Sequence, residues 1–435
     1  MPGILEIVQR LKEVDTVKIF FTDLDGRLMS LLVNPEDVEK LFEGGVGFDG
    51  SSVAGIATVD DSDRLLVPMP ESFRLVDFGG EKLGFLVGRV ENSRRARSRC
   101  DPRAVLEKVV AEAESRHHAR FLVGPEHEFF LLTGNEFSDD SYSDRAGYYH
   151  SSPHDRGEAV RNGIIRALAG AGVRHEKSHH EVSPSQHEIN LECLPPLEAA
   201  DRTLLFNHVA QKVAAQHGYH ATFMPKPFDG QNRNAFHIHL SMQELDGRNT
   251  FYEDGAEHAL SGTARQFIGG VIKYAREASI VMASTVNSYK AYVADREAPI
   301  VRGWGIKNRS SMVRVPYAGS PEKTRVELRC PDPLGNVYLQ FAAFIGMGLR
   351  GIEEGLDCGE PDTGSTYKVE QTWRARDERF LPKCMFEALV EAESSHFLKD
   401  LLGEQLYGNY LRLKMEDWEE HRTHVTPREH RKYLS

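Results

Sequence analysis

Cysteine is sparse and unpaired: the five residues at 100, 193, 330, 358 and 384 form no CxxC and no regular spacing. That leaves neither a disulfide framework nor a thiolate zinc site to expect, and a reducing cytoplasm is the expected compartment. The opening Met-Pro-Gly-Ile-Leu-Glu has no basic-then-apolar leader pattern. Long apolar runs are missing as well; the most apolar helical stretch, Tyr338 to Leu349, is too short and too interrupted to cross a bilayer, so no membrane partner is expected. Positive charge is outweighed, with 53 Lys and Arg against 65 Asp and Glu for a net charge of -12. No basic stripe interleaved with aromatics occurs, which argues against a nucleic-acid partner. There is no repeat, no low-complexity tract and no GxxxxGK[ST] loop, so a bound nucleotide would have to be held by metals and arginines. Gly45-Val-Gly47-Phe-Asp-Gly50 meets the GxGxxG spacing, but it follows a helical pattern rather than a strand and carries Asp49 where a pyrophosphate would approach.

What the chain does have is enough apolar content for a packed core, over 435 residues that suggest two or three domains. Ile4 to Val14 reads as an amphipathic helix, Val17 to Leu24 and Arg27 to Val33 as a hairpin about Asp25-Gly26, and Pro35 to Phe42 as a second helix. The charged stretch Glu91-Asn-Ser-Arg-Arg-Ala-Arg-Ser-Arg-Cys-Asp marks the expected boundary, giving domains 1–100 and 101–435. Pro102 to His118 opens the second as a helix with Asp101 as its cap. From Pro382 onward the pattern is helical.

Carboxylates then appear in pairs beside histidines. Glu126 and Glu128 lie in an apolar run that reads as a buried strand, where residues two apart share a face. Two bare carboxylates on one buried face repel, and are tolerable only if one takes a proton or a cation sits between them. His179-His180-Glu181 and Glu188 follow downstream, then the period-2 segments Phe236-His237-Ile-His239-Leu-Ser241 and Arg325-Val-Glu327-Leu-Arg329. Five glutamates and His237 make enough oxygen-rich ligands for two hard divalent cations, magnesium or manganese in preference to zinc. For His127, His180 and His187 the ordinary reading, a satisfied core histidine, stands.

With these segments in view, the chain resembles a type I glutamine synthetase nearly end to end. The resemblance is carried by Phe48-Asp49-Gly50-Ser51-Ser52, Gly124-Pro-Glu-His-Glu-Phe, His179-His180-Glu-Val, Met224-Pro-Lys226-Pro227, Asn287-Ser-Tyr-Lys290, Glu297-Ala-Pro, Asn308-Arg309-Ser and Arg325-Val-Glu-Leu-Arg-Cys-Pro-Asp-Pro. It implies an α+β fold: a small N-terminal β-grasp-like domain, then a catalytic domain built on a curved antiparallel sheet with flanking helices. It also implies homo-oligomers, dodecamers of two stacked hexamer rings, with active sites between neighbouring subunits. The implied chemistry is activation of a carboxylate by ATP through an acyl phosphate, which ammonia then attacks, with two or more magnesium or manganese ions per site.

Carried over residue by residue, the resemblance implies a first metal held by Glu128, Glu181 and Glu188, and a second by Glu126, His237 and Glu327. Arg309 and Arg314 would hold phosphate oxygens, Arg329 the reacting carboxylate, and Arg325, His239 and Ser241 the nucleotide. Ammonium would be bound by Asp49 and Ser52 of a neighbouring subunit with Tyr148, Glu181 and Glu297. Tyr367 stands where some bacterial members carry a nucleotidylated tyrosine, but in unlike surroundings, and is assigned no such role.

The acid side departs from the family pattern. Ala291 replaces the arginine that clamps the α-carboxylate of glutamate, and Asn232-Arg233-Asn234-Ala235-Phe236-His237 replaces Asn-Gly-Ser-Gly-Met-His in the substrate loop. Ser185 for Gly and Val293-Ala-Asp-Arg296 for Val-Pro-Gly-Tyr fall near the same region. Losing a bidentate carboxylate clamp costs on the order of several kcal/mol unless something replaces it. The acid is therefore glutamate or, in the favoured reading, a related acid that lacks the amino-acid head or presents its distal carboxylate to Arg233. A γ-glutamyl ligase for an organic amine and a catalytically silent ring-forming paralogue are the alternatives.

Overall fold

The Asp25-Gly26 turn closes the first hairpin because Gly26 adopts φ 89°, a left-handed conformation in which a side chain would be strained. The turn joins β1 (Thr16–Thr22) to β2 (Leu28–Val33) in antiparallel register. A computed structural model describes residues 4–134, 137–294, 296–316, 319–369 and 377–434. Met1 to Gly3 of the opening segment and Asp295 of the Val293–Arg296 departure lie outside the described residues. The expected first helix runs Ile4–Leu11, and the expected second begins as a single 3-10 turn, Pro35–Asp37, continuing as the helix Val38–Gly44.

β3 (Val46–Asp49), β4 (Asp63–Pro68), β5 (Arg74–Asp77) and β6 (Lys82–Asn92) complete a six-stranded sheet of order β2-β1-β6-β4-β3, with β5 also on β6. β1 and β6 run parallel, and Phe20 stacks on Phe85 at 4.5 Å between ring centroids. The GxGxxG segment follows the helix Val38–Gly44, becomes β3 and leads only into the single 3-10 turn Gly50–Ser52, so it lacks the strand-to-α-helix context of a dinucleotide fingerprint.

The second sheet is built on β7 (Ala119–Leu132), which follows the helix Pro102–His117. That helix starts as expected: the Asp101 side chain accepts from Arg103 N and Pro102 takes the first helical position. β8 (His175–His180), β9 (Gln186–Leu191), β10 (His220–Thr222), β11 (Ile238–Glu244), β12 (Trp304–Ile306), β13 (Val313–Val315) and β14 (Val326–Leu328) give the order β12-β13-β14-β11-β7-β9-β8, with β10 also on β7. The architecture is α+β, a β-grasp-like sheet followed by a curled sheet covered by helices. The second sheet is antiparallel except for β12 and β13, which pair in parallel.

The apolar helix Val337–Glu353 packs between the helices Gly262–Tyr274 and Pro102–His117 and buries Phe341, Phe344 and Ile345. At its cap Asn336 ties the two sheets together, its side-chain amide donating to Thr22 Oγ1 at 3.0 Å and to Asp23 O at 2.9 Å. Lys414, on the helix Glu404–Thr423, adds an ion pair to Asp25 at 2.7 Å. No helix among the described residues is long and apolar enough to cross a membrane.

Candidate active site

Three neighbouring strands bring one set of ligands together. Glu126 on β7, His237 just before β11 and Glu327 on β14 place ligand atoms within 4.8 Å of one another. His237 Nδ1 lies 2.9 Å from Glu126 Oε2, His239 Nε2 lies 3.0 Å from Glu126 Oε1, and Asn190 Nδ2 donates to the same oxygen at 2.8 Å. Burial works to raise the Glu327 carboxyl, but the Arg329 guanidinium beside it prevails and brings it down to about 2. Arg314 holds its other oxygen. Burial and then Arg329 keep the His237 imidazole neutral, lowered to about 4. Ionised carboxylates with a neutral imidazole are the protonation states that bind a cation.

A second set gathers on the adjoining strands. His179 and Glu181, at the end of β8 and just past it, and Glu188 on β9 also lie within 4.8 Å of one another. Glu128 stands directly opposite Glu188 across the β7–β9 ladder, a pairing of like charges that disfavours the sheet unless a cation intervenes. Burial, then the charge of Glu181, pushes the Glu128 carboxyl well above the usual range; burial, then Glu126 and Glu128, does the same to Glu188. Glu128 Oε2 accepts from Ala235 N at 2.8 Å and from Gln186 Nε2 at 3.1 Å, which fixes it beside the triad rather than inside it. The expected set of Glu128, Glu181 and Glu188 is thus joined by His179, whose Nε2 sits 2.9 Å from Glu181 Oε1.

Both sets fit divalent cations on a further observation. His237 Nε2 and Glu188 Oε1 are buried and have no hydrogen-bond partner. Orphaned buried acceptors of this kind are stabilised by a cation they can ligate. A third group, Asp144, Asp155, His180 and His187, is different: the Arg161 guanidinium already lies 2.7 Å from Asp155 Oδ2 and 2.7 Å from His187 Nδ1. It supports the β8–β9 hairpin as a core network, the role expected for His180 and His187. His127 likewise packs on Phe206 and meets Thr203 Oγ1 at 3.2 Å.

Cationic and further ionisable groups border these sets. Arg325 Nε approaches His239 Nδ1 at 3.1 Å, and Ser241 follows on β11. The Tyr148 hydroxyl donates to the Tyr149 hydroxyl at 3.1 Å, and burial, then this contact, pushes it up to about 12, with the Arg309 charge working the other way. Glu297, on the solvent-facing rim, accepts from Asn232 Nδ2 at 2.9 Å, and its carboxyl is raised by partial burial and by the charge of Glu181. Lys177 went unremarked in the sequence, yet its Nζ reaches 3.6 Å from Glu126 and 3.7 Å from Glu188; its place on β8, two residues before His179, is the only local signal. Asp49 and Ser52 stand apart on the N-terminal sheet: Asp49 is exposed and accepts from Ser51 N at 2.9 Å and Ser52 Oγ at 2.7 Å.

The acid-side departures look different in three dimensions. Arg233 does not offer its guanidinium to the open site. It is buried, donates to the carbonyls of Arg329, Cys330 at 3.0 Å and Pro331 at 3.2 Å, and lies over the Tyr292 ring at 5.8 Å. This geometry runs against the expectation that Arg233 meets a distal carboxylate: both terminal nitrogens are engaged by the turn that follows β14, and only the buried Nε is without a partner. Ala291 is buried, and so is Ser185. Ser185 takes φ 63° where glycine would be free, and its hydroxyl accepts from Ser143 N at 2.6 Å and Asp144 N at 3.3 Å. This hydroxyl is taken up by the backbone of the Ser143–Asp144 segment.

Comparison with known proteins agrees with this geometry. Residues 13–92 match the family model of the glutamine synthetase beta-Grasp domain, and residues 99–433 that of the glutamine synthetase catalytic domain. Among curated relatives, glutamine synthetase of Methanosarcina mazei is 38% identical over 99% of this chain and 97% of its own length. That of Mycolicibacterium smegmatis is 37% identical over 99% and 98%, and that of Thermotoga maritima 35% over 99% of each. Among solved structures, apo GmaS superposes with a TM-score of 0.88 at 32% identity over the whole of both chains. A GmaS/ADP complex gives 0.87 at 30% identity over 98% and 99%.

Proposed function

The chain belongs to the glutamine synthetase family and is an ATP-dependent carbon–nitrogen ligase, and from that premise we propose that it joins ammonia to a carboxylic acid other than glutamate. The observation that carries the reading is the pair of carboxylate sets on one sheet, bracketed by arginines and holding two orphaned buried acceptors. Magnesium or manganese, bound by Glu126, His237 and Glu327 and by Glu181 and Glu188 with Glu128 or His179, would offset the phosphate charge. ATP is the phosphoryl donor.

A carboxylate does not react with an amine at neutral pH because its leaving group is an oxide. When a carboxylate oxygen attacks the γ-phosphorus and ADP leaves, the acid becomes an acyl phosphate whose leaving group is phosphate. Ammonia then adds to the acyl carbon, the carbon–oxygen bond to phosphate breaks, and the amide forms. Arg309 and Arg314 hold phosphoryl oxygens and Arg329 aligns the carboxylate. Glu297 and Glu181, with Tyr148, bind ammonium and take its proton. Asp49 and Ser52 belong to the same pocket if supplied by a neighbouring subunit, as in a ring whose N-terminal domain, ending near residue 100, closes the next subunit's site. We read the assembly as a homo-oligomer of two hexamer rings in the cytoplasm.

The acid is one without an α-carboxylate. Support comes from Ala291 where the family has its clamp, and from Arg233, whose guanidinium is already engaged. Phosphate release from ATP with magnesium, ammonium and a panel of acids tests this. Turnover should be faster with 4-aminobutyrate or 4-hydroxybutyrate than with glutamate or glutarate. Brisk glutamine formation would overturn the acid reading, preference for methylamine, ethanolamine or putrescine would overturn ammonia, and silence with every acid would indicate a ring-forming paralogue.

A further inference from the structure

Lys177 has no part in the roles above, yet its ammonium stands between the two carboxylate sets. The strand ladders explain the placement. Glu126 pairs with Asn190 across β7 and β9, and Asn190 with Lys177 across β9 and β8, so the three form one row on one face of the sheet. Glu128, Glu188 and His179 form the next row, two residues along each strand, and share that face. The lysine reaches across its own row and diagonally into the next: Nζ lies 3.6 Å from Glu126 Oε1 and 3.7 Å from Glu188 Oε1. One of these carboxylates belongs to each set.

Both contacts are ionic rather than hydrogen bonds, since each distance exceeds hydrogen-bond length and Glu188 Oε1 stays buried with no donor. Arg314 and Arg329, by contrast, hydrogen-bond the two oxygens of Glu327. About half of the Lys177 side chain is exposed and its four-carbon stem is flexible, so the ammonium can leave without unpacking the core. It thus offsets charge while leaving Glu188 Oε1 open to a cation. We propose that Lys177 is a built-in counter-cation: it bridges the two carboxylate sets in the metal-free protein and is displaced by divalent ions, and so sets the metal concentration at which the site fills. The proposal rests on the assignment of both sets as cation sites. A divalent ion entering either set meets the like charge of the ammonium and has to outcompete it for Glu126 or Glu188.

The test measures manganese binding to the full-length protein from the electron spin resonance of the free ion, with no ATP or acid present, together with the melting temperature in chelator. Lys177→Met keeps the stem and removes the charge, so manganese should bind about tenfold more tightly, as for the loss of a like charge paired with two carboxylates. In chelator the same variant should melt a few degrees lower, because Glu126 and Glu188 lose their counter-charge. Lys177→Arg keeps the charge and should bind manganese within about threefold of the unaltered protein. A manganese affinity in Lys177→Met within about twofold of the unaltered protein would overturn the proposal. So would equal tightening in Lys177→Arg, which would make the effect one of shape and not of charge. A raised KM for ATP in Lys177→Met with manganese affinity unmoved would overturn it in favour of a phosphate contact. An unaltered protein that binds no manganese would remove the cation sites themselves, a result distinct from these.

Discussion

At the scale of the residue, Glu128 and Glu188 are a costly pair, because two buried carboxylates face each other across one ladder. Glu128→Gln removes a charge but keeps an acceptor for Ala235 N. In chelator the variant should therefore melt higher than the unaltered protein, by a few degrees for roughly 1 kcal/mol in a protein of this size. Added magnesium should raise the melting temperature of the unaltered protein and have much less effect on the variant. Equal magnesium shifts in both, followed by thermal denaturation, would mean that Glu128 has no part in holding a cation. The clustering of Glu126, Glu128, His237 and Glu327 was legible from alternation in apolar runs. His179 was not: its partner Glu181 is two residues away, past the strand end, and only the hairpin brings Glu188 to both. Arg233 misled for a related reason. An arginine in a substrate loop reads as a reaching cation, and only the turn after Leu328 supplies the carbonyls that capture it.

At the scale of the element, the turn between β1 and β2 was readable as Asp25-Gly26, whereas its burial against the cap of a helix more than three hundred residues away was not. Asp23 shows the cost. Burial is the main cause that raises its carboxyl from 3.8 to about 6, with Arg27 N donating to it at 2.8 Å and Lys414 partly compensating. Because the folded value lies above the unfolded one, the stability contributed by the protonated form is complete below about pH 4 and is lost as pH rises through 6. Asp23→Asn retains the acceptor and removes the titration. It should be more stable than the unaltered protein at pH 8 by about 1–3 kcal/mol and nearly equal at about pH 3.5, below the unfolded value. Urea midpoints at the two pH values check this, and a difference of the same size at both would contradict it. The parallel pairing of β12 with β13 escaped the sequence for the same reason as the buried turn: three-residue strands carry almost no local pattern, and long-range pairing decides their direction.

At the scale of the whole molecule, an N-terminal sheet and a catalytic sheet are fastened by Asn336 and by the Lys414–Asp25 pair, and family membership follows from matches that cover both. The central claim is narrower than any assembly: the acid is activated by phosphorylation before nitrogen attacks. The most direct measurement follows the carboxylate oxygens. With both labelled as oxygen-18 in the preferred acid, and with ATP, ammonium and magnesium present, the account predicts that each phosphate released carries one labelled oxygen, since the attacking oxygen leaves with phosphorus. Unlabelled phosphate formed in step with amide would contradict it.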